Sequence, residues 1–173
     1  MSMAAAPHGS PPSPPSGRLL VTPLQGTDEE EACAALMAAS DPWQTLGMDH
    51  AALLRTVRLP GRERWVARVD GAFAGFLLLF LQGTFSGYIQ TIGLAPAFRG
   101  PGLGEELMHF AEARILRDFQ NVFLCVSGFN AGARRFYTRL GYAEVGVLRD
   151  FLVAGQDEVL MRKTAGPLRA RRG

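Results

Sequence analysis

The 173-residue chain predicts a single β-rich α/β domain, and three stretches carry that prediction. An apolar segment, Tyr88 to Leu94, runs through Arg99-Gly100-Pro101-Gly102-Leu103-Gly104 into an amphipathic segment. A second apolar segment, Asn121 to Ser127, is followed by Asn130, Ala133, Phe136, Tyr137 and Leu140, one helical face opened by an Asn cap and closed by Gly141. Upstream, Asp70-Gly71 joins two strand-like runs and is a strong two-residue hairpin signal.

Taken in order, Arg18 to Pro23 reads as a short strand. Thr27-Asp28-Glu29-Glu30 fits an S/T-x-x-E capping box and opens a helix to about Ser40. Asp41-Pro42 restarts a helical segment with Pro at its first position, and Asp49 caps another short helix through Val57. Arg64 to Val69 and Ala72 to Leu81 are the hairpin strands, and Gly83 to Gly87 turns the chain into the strand at Tyr88. Leu103, Leu107, Phe110, Ala111 and Ile115 mark the core face of the next helix, with Glu105, Glu112 and Arg117 on its other faces. The chain closes with a strand from Tyr142 to Val153, a turn at Ala154-Gly155-Gln156 and a strand from Glu158 to Arg162.

A strand that feeds a glycine loop into a helix start gathers unpaired backbone N–H groups and the positive end of a helix dipole at one point. Such a point binds phosphate, and glycine allows the backbone to approach it closely. Arg99 adds a full charge at the rim. The loop lacks the Gly-Lys-Ser/Thr of a P-loop, and no G-x-G-x-x-G opens the first strand, so a different phosphate ligand is implied. Pro101 removes one donor from the cradle, whereas Gly100, Gly102, Leu103 and Gly104 keep theirs.

The R-x-x-G-x-G loop, Ile92-Gly93-Leu94 before it, and N-x-x-A-x-x-F-Y-x-x-L-G-Y downstream resemble the signatures of the GNAT superfamily of acyl-CoA-dependent N-acyltransferases. The two motif regions cover about residues 86 to 147, and the element order extends the likeness to roughly 18 to 163. The resemblance implies a mixed, mostly antiparallel seven-stranded sheet splayed at its centre, with about four helices. It implies acetyl-CoA as co-substrate, its pyrophosphate on Arg99, Gly100, Gly102, Leu103 and Gly104. Its pantetheine arm would lie against backbone at Ile92, Gly93 and Leu94, with Asn130 bonding the arm or serving only as an N-cap. Tyr137 aligns with the tyrosine that many members place near the thioester sulfur, where its hydroxyl protonates the departing thiolate; the alternative is a core tyrosine on the Ala133/Phe136/Leu140 face. The reaction implied is direct acetyl transfer to a primary amine in a ternary complex.

The base is less determined. Relatives resembling the ribosomal-protein alanine N-acetyltransferases carry a glutamate five residues before the motif asparagine; here that position is Cys125, which puts a protein N-terminus as acceptor in doubt. Tyr88 and Gln90 on the central strand can orient a water, and Asp150 and Glu158 on the last hairpin are carboxylates within reach of the acceptor side. Trp43, in Asp41-Pro42-Trp43-Gln44-Thr45-Leu46-Gly47, is a candidate acceptor contact or a hydrophobic plug. The acceptor is open between a small-molecule amine and a peptide or protein amine. A non-catalytic acyl-CoA-binding module is the alternative, with Cys125 as its best argument.

Composition sets the remaining limits. The Pro/Ser/Ala-rich start, with five prolines by Pro15 and no aromatic residue, cannot bury enough apolar surface to offset its ordering entropy. Residues 1–17 are therefore expected to be a disordered tail, 18–163 the N-acetyltransferase domain and 164–173 a basic, flexible tail. Net charge is +2, yet residues 19–161 hold 12 arginines and 16 acids, leaving the domain at about −4. No nucleic-acid or membrane partner is expected, and a homodimer is left open. Cys33 and Cys125 make no disulfide framework, and His8, His50 and His109 have no ligand spacing, so no metal is expected; the location expected is the cytoplasm.

Overall fold

The computed structural model describes residues 17–100 and 102–168. The expectations for residues 1–16, for Pro101 and for residues 169–173 lie outside them. Among the described residues, seven strands form one sheet: β1 (Leu19–Pro23), β2 (Arg62–Val69), β3 (Ala72–Phe80), β4 (Tyr88–Leu94), β5 (Asn121–Ser127), β6 (Ala143–Val153) and β7 (Gln156–Thr164). Their order is β1-β2-β3-β4-β5-β7-β6, antiparallel at every junction except β4–β5. Four helices, α1 (Gly26–Ala38), α2 (His50–Arg58), α3 (Leu103–Leu116) and α4 (Ala131–Arg139), cover the two faces. No helix among the described residues is long and apolar enough to cross a membrane.

The buried run in β3 explains the layering. A strand turns successive side chains to opposite faces. Phe76 and Leu78 pack with Cys33, Leu53 and Val57 of α1 and α2. Leu77 and Leu79 pack with Leu107, Ala111 and Ile115 of α3 on the other face. Asp70 and Gly71 both have positive φ, 50° and 81°, as the tight turn between Val69 and Ala72 requires.

Several local expectations need correction. Helix α1 starts at Gly26, not after a Thr27 cap; Gln25 is its N-cap, and Glu29 Oε2 reaches back to accept from Gln25 N–H at 2.6 Å. Glu30, the acid of the expected box, instead pairs with Arg58 and Arg64, each at 2.7 Å, and Thr27 lies inside the first turn. Residues 41–47 form turns and no regular helix. Asp41 Oδ1 accepts from the Thr45 hydroxyl at 2.7 Å, and Gly47, at φ 66°, stops propagation. Glu112, placed by periodicity on a polar face, is buried and meets Lys163 Nζ from β7 at 2.7 Å. Strand β7 begins at Gln156, inside the expected turn, and continues through Thr164, and Ala165 N–H then bonds Gln120 O at 2.9 Å.

Candidate active site

The sheet opens at β4–β5, the only parallel junction among the described residues. β4 and β5 pair at Tyr88↔Phe123 and Ile89↔Leu124 and no further. Beside that point the β3–β4 register shifts, so that Leu78 faces Thr91 while Leu79 faces Ile89, leaving Gln90 as the extra residue of a bulge. Beyond it the strands diverge around a cleft of about 880 Å³.

Backbone facing the opening follows from ladder parity. Ala95 N–H bonds Ala74 O at 2.8 Å, and bonded and non-bonded pairs alternate along an antiparallel ladder. With Gly93 opposite Phe76 and Thr91 opposite Leu78, those two residues bond β3, and the N–H and C=O groups of Ile92 and Leu94 turn toward the gap. Gly93 is small for a packing reason, because a Cβ there would come within 3.0 Å of the Phe76 ring.

At one end of the cleft stands the start of α3. Gly102 is its N-cap with φ 88°, a left-handed value that favours glycine. Glu105 and Glu106 N–H bond Gly102 O, leaving the N–H groups of Leu103 and Gly104 without a protein partner among the described residues. The Gly102 N–H is not free as expected, since it bonds Gly100 O at 2.9 Å. The Leu103 side chain packs into a small core with Val69 and Ala74, so only its backbone can serve a ligand. A Cβ on Gly104 would lie 3.6 Å from both Leu94 and Phe136, an ordinary contact without backbone strain. The protein thus has room for alanine there, and glycine leaves the backbone open to close approach. Arg99 lines this end, but its Nε donates to Leu94 O at 2.9 Å and its Nη2 to the buried Ser40 hydroxyl at 3.1 Å. It therefore ties the loop to the end of α1, and it occupies one of the two carbonyls turned into the gap.

Helix α4 contributes the next wall. Asn130 caps it, accepting from Ala133 N–H at 3.0 Å through Oδ1, which leaves the carboxamide nitrogen toward the cleft. A Schellman pair, Tyr142 N–H to Tyr137 O and Gly141 N–H to Thr138 O, both 3.0 Å, closes it. Tyr137 is partly buried against Phe136 and Tyr142 and lines the cleft, and burial pushes its phenol up to about 12.

The opposite face of the sheet supplies a group that sequence reasoning had only noted. Val122, Leu124 and Val126 of β5, with Val159 and Met161 of β7, turn to the α3 and α4 side. Alternation sends Cys125 and Ser127, with their cross-strand partners Leu160 and Glu158, to the other face. There the Ser127 hydroxyl donates to Glu158 Oε1 at 2.6 Å. Glu158 is 3% exposed and lines the cleft. Burial pushes its carboxyl above the ordinary range, opposed in part by the Ser127 hydrogen bond. Burial likewise raises the Cys125 thiol, with the adjoining Tyr88 hydroxyl pulling the other way; Tyr88 is itself pushed up, by burial first and Cys125 next. Neither carries a charge near neutral pH. Asp150, the other carboxylate considered, is exposed at φ 51° and accepts from Gly155 N–H within its own hairpin.

The far wall is apolar. Trp43 lines it from the 41–47 turns, and Phe151 and Leu152 line it from β6, both more than half exposed. Gln90 Oε1 accepts from Arg62 Nε at 2.7 Å, and the same guanidinium lies over the Phe80 ring at 4.4 Å. The three expected acceptor residues, Trp43, Tyr88 and Gln90, therefore line one cleft with Tyr137 and Asn130.

Comparison with known proteins supplies the remaining findings. The model of the acetyltransferase (GNAT) family matches residues 27–142. The chain is 31% identical over 140 residues to the N-alpha-acetyltransferase RimI of Mycobacterium tuberculosis, covering 77% of this chain and 82% of that protein. It is 30% identical over 118 residues to an N-alpha-acetyltransferase of Sulfurisphaera tokodaii, covering 60% and 68% respectively. Among solved structures, a GNAT family acetyltransferase from Elizabethkingia anophelis with acetyl-CoA bound superposes with a TM-score of 0.67 at 16% identity, covering 84% of this chain and 97% of that one.

Proposed function

The chain belongs to the GNAT acetyltransferase family, and from that premise we propose that it transfers acetyl from acetyl-CoA directly to a polypeptide α-amino group, with Tyr137 as acid and Glu158 as base. The observation that carries this reading is one cleft that passes through the sheet. A neutral phenol lines it from the α4 face, and a buried carboxylate lines it from the β7 face.

Acetyl-CoA supplies the activated acyl thioester. The N–H groups of Leu103 and Gly104, without a protein partner among the described residues, and the α3 dipole suit its pyrophosphate, and the backbone of Ile92 and Leu94 suits the amides of its pantetheine arm. Asn130 offers a further donor from its carboxamide nitrogen. Glu158 accepts a proton from the incoming amine, directly or through one water, so that the nitrogen attacks as a neutral nucleophile. A carboxylate whose pKa is raised by burial is the stronger base, provided it ionises at working pH. Tyr137 gives its proton to the departing thiolate, and its raised pKa keeps that proton in place until it is needed.

An α-amine, with a reference pKa near ~8, loses its proton more readily than a lysine side chain near ~10.4, which suits a single carboxylate base. The names of the two curated relatives point the same way. The location we propose is the cytoplasm, in keeping with the free thiols of Cys33 and Cys125. A CoA-release assay tests the reading with peptides of matched sequence, one with a free N-terminus, one with a blocked N-terminus and an internal lysine, alongside small amines. Release with the free N-terminus alone is expected. Turnover confined to the lysine peptide or to small amines would overturn the acceptor assignment.

A further inference from the structure

One cationic stripe of α4 is not used by this chemistry. Gly132, Arg135, Phe136 and Arg139 stand at i, i+3, i+4 and i+7, and all but Arg135 line the cleft. Arg135 and Arg139 are exposed, and neither forms an ion pair among the described residues. Their neighbour Arg134, by contrast, meets Glu144 at 2.5 Å. Two like charges four residues apart on a helix repel each other, so the arrangement does nothing for the fold by itself. The Arg139 guanidinium lies 5.8 Å from the Phe136 ring centroid. That ring is the one a Cβ on Gly104 would touch at 3.6 Å, so the stripe begins beside the first turn of α3. The acid sharing this rim, Glu105, faces His109 at 3.9 Å.

We propose that Arg139, with Arg135 beside it, forms a second anion subsite that takes the phosphate monoester on the ribose 3′ oxygen of coenzyme A. This rests on the reading of the α3 start as the pyrophosphate site. Coenzyme A carries its negative charge in two places, the pyrophosphate and this monoester, with only the ribose between them. A pyrophosphate at Leu103 and Gly104 therefore delivers the monoester to the same rim, where Arg139 lines the cleft with Arg135 one turn before it on α4, neither ion-paired among the described residues. A guanidinium fork matches phosphate oxygens bidentately, and Arg139 lies at the edge of cation–π range from the Phe136 ring that borders the first turn of α3.

The test is calorimetric binding of coenzyme A and of 3′-dephospho-coenzyme A to the full chain, which needs no acceptor and no turnover. Wild type is expected to bind coenzyme A about tenfold more tightly than the dephospho form, a gap of about 1.4 kcal/mol that narrows as salt is raised. Arg139→Gln should close most of the gap and Arg135→Gln part of it, each leaving affinity for the dephospho form unchanged; Arg139→Lys should restore some of it. Both positions are exposed on a helix and glutamine is a good helix former, so the variants stay folded. Equal wild-type affinities for the two ligands would overturn the subsite while leaving the pyrophosphate reading intact, as would Arg139→Gln weakening both ligands by the same factor. If neither ligand binds the wild type, the pyrophosphate reading fails and the subsite with it.

Discussion

At the end of the cleft proposed to take the cofactor, the groups that face a ligand are mostly backbone: N–H at Leu103 and Gly104, N–H and C=O at Ile92, and N–H at Leu94, whose carbonyl is held by Arg99. At the acceptor end they are side chains brought from distant parts of the chain, Trp43 from the turns after α1, Tyr88 and Gln90 from β4, Phe151 from β6 and Glu158 from β7. The first end is organised by local conformation within some fifteen residues, and the second by strand order and register across the whole sheet. Substitutions should therefore separate cleanly. Changes at the cofactor end should move binding, and changes at the acceptor end should move chemistry.

The largest effect is expected at Glu158. Glu158→Gln should lower kcat by about 10²- to 10⁴-fold, the usual contribution of a positioned base, with acetyl-CoA affinity unchanged by calorimetry. Stability should move the other way. Because the folded pKa of Glu158 lies above its unfolded value, its proton adds stability that is complete below the unfolded pKa near ~4.3 and lost as pH rises through the folded pKa. At neutral pH the ionised carboxylate is a burden on the fold, and the glutamine variant should melt at an equal or higher temperature.

Tyr137→Phe comes next. The ring contacts with Phe136 and Tyr142 survive, so stability and cofactor affinity should hold while kcat falls by about 10²-fold. An unchanged kcat, with chemistry shown by rapid quench to limit turnover, would make Tyr137 a packing residue only. Gly104→Ala tests the cofactor end from the opposite direction. The added methyl meets only ordinary contacts and favours the helix by up to about 1 kcal/mol, so the melting temperature should rise. Acetyl-CoA should bind about tenfold more weakly, because the methyl stands where phosphate approaches. Undiminished affinity would move the pyrophosphate away from Gly104. The smallest change belongs to Cys125→Ser, which should retain turnover within a few-fold and lose about 1 kcal/mol or less in a denaturant melt, since the half-buried thiol is neutral and a serine hydroxyl can keep its contact with the Tyr88 hydroxyl.

The same comparison explains what could be read in the sequence. β4, β5, the loop into α3 and the Asn130 cap are each signalled by contiguous residues, and the structure places β4 and β5 at Tyr88–Leu94 and Asn121–Ser127 as expected. Asp49 caps α2 as its position suggested, accepting from Ala52 N–H at 2.7 Å. Periodicity went astray at Glu112 because its partner, Lys163, lies 51 residues away on β7. The place of Glu158 was half legible for the same reason, as one of two carboxylates expected toward the acceptor side. Beside Val159, Leu160 and Met161 it reads as one acid in an apolar strand, and only the pairing Ser127↔Glu158 turns it toward the cleft next to Cys125. The thiol where some relatives carry a glutamate thus pointed to a missing base, while the fold provides a carboxylate from the adjacent strand.

The pH dependence of kcat, measured at saturating acetyl-CoA and peptide for wild type and Glu158→Gln, tests the central claim most directly. The wild-type rate should rise with pH through an apparent pKa above the ordinary carboxylate range, as burial of Glu158 requires, and that limb should be absent from the residual rate of the glutamine variant. A glutamine variant that keeps both the wild-type rate and the same acidic limb would contradict Glu158 as the base.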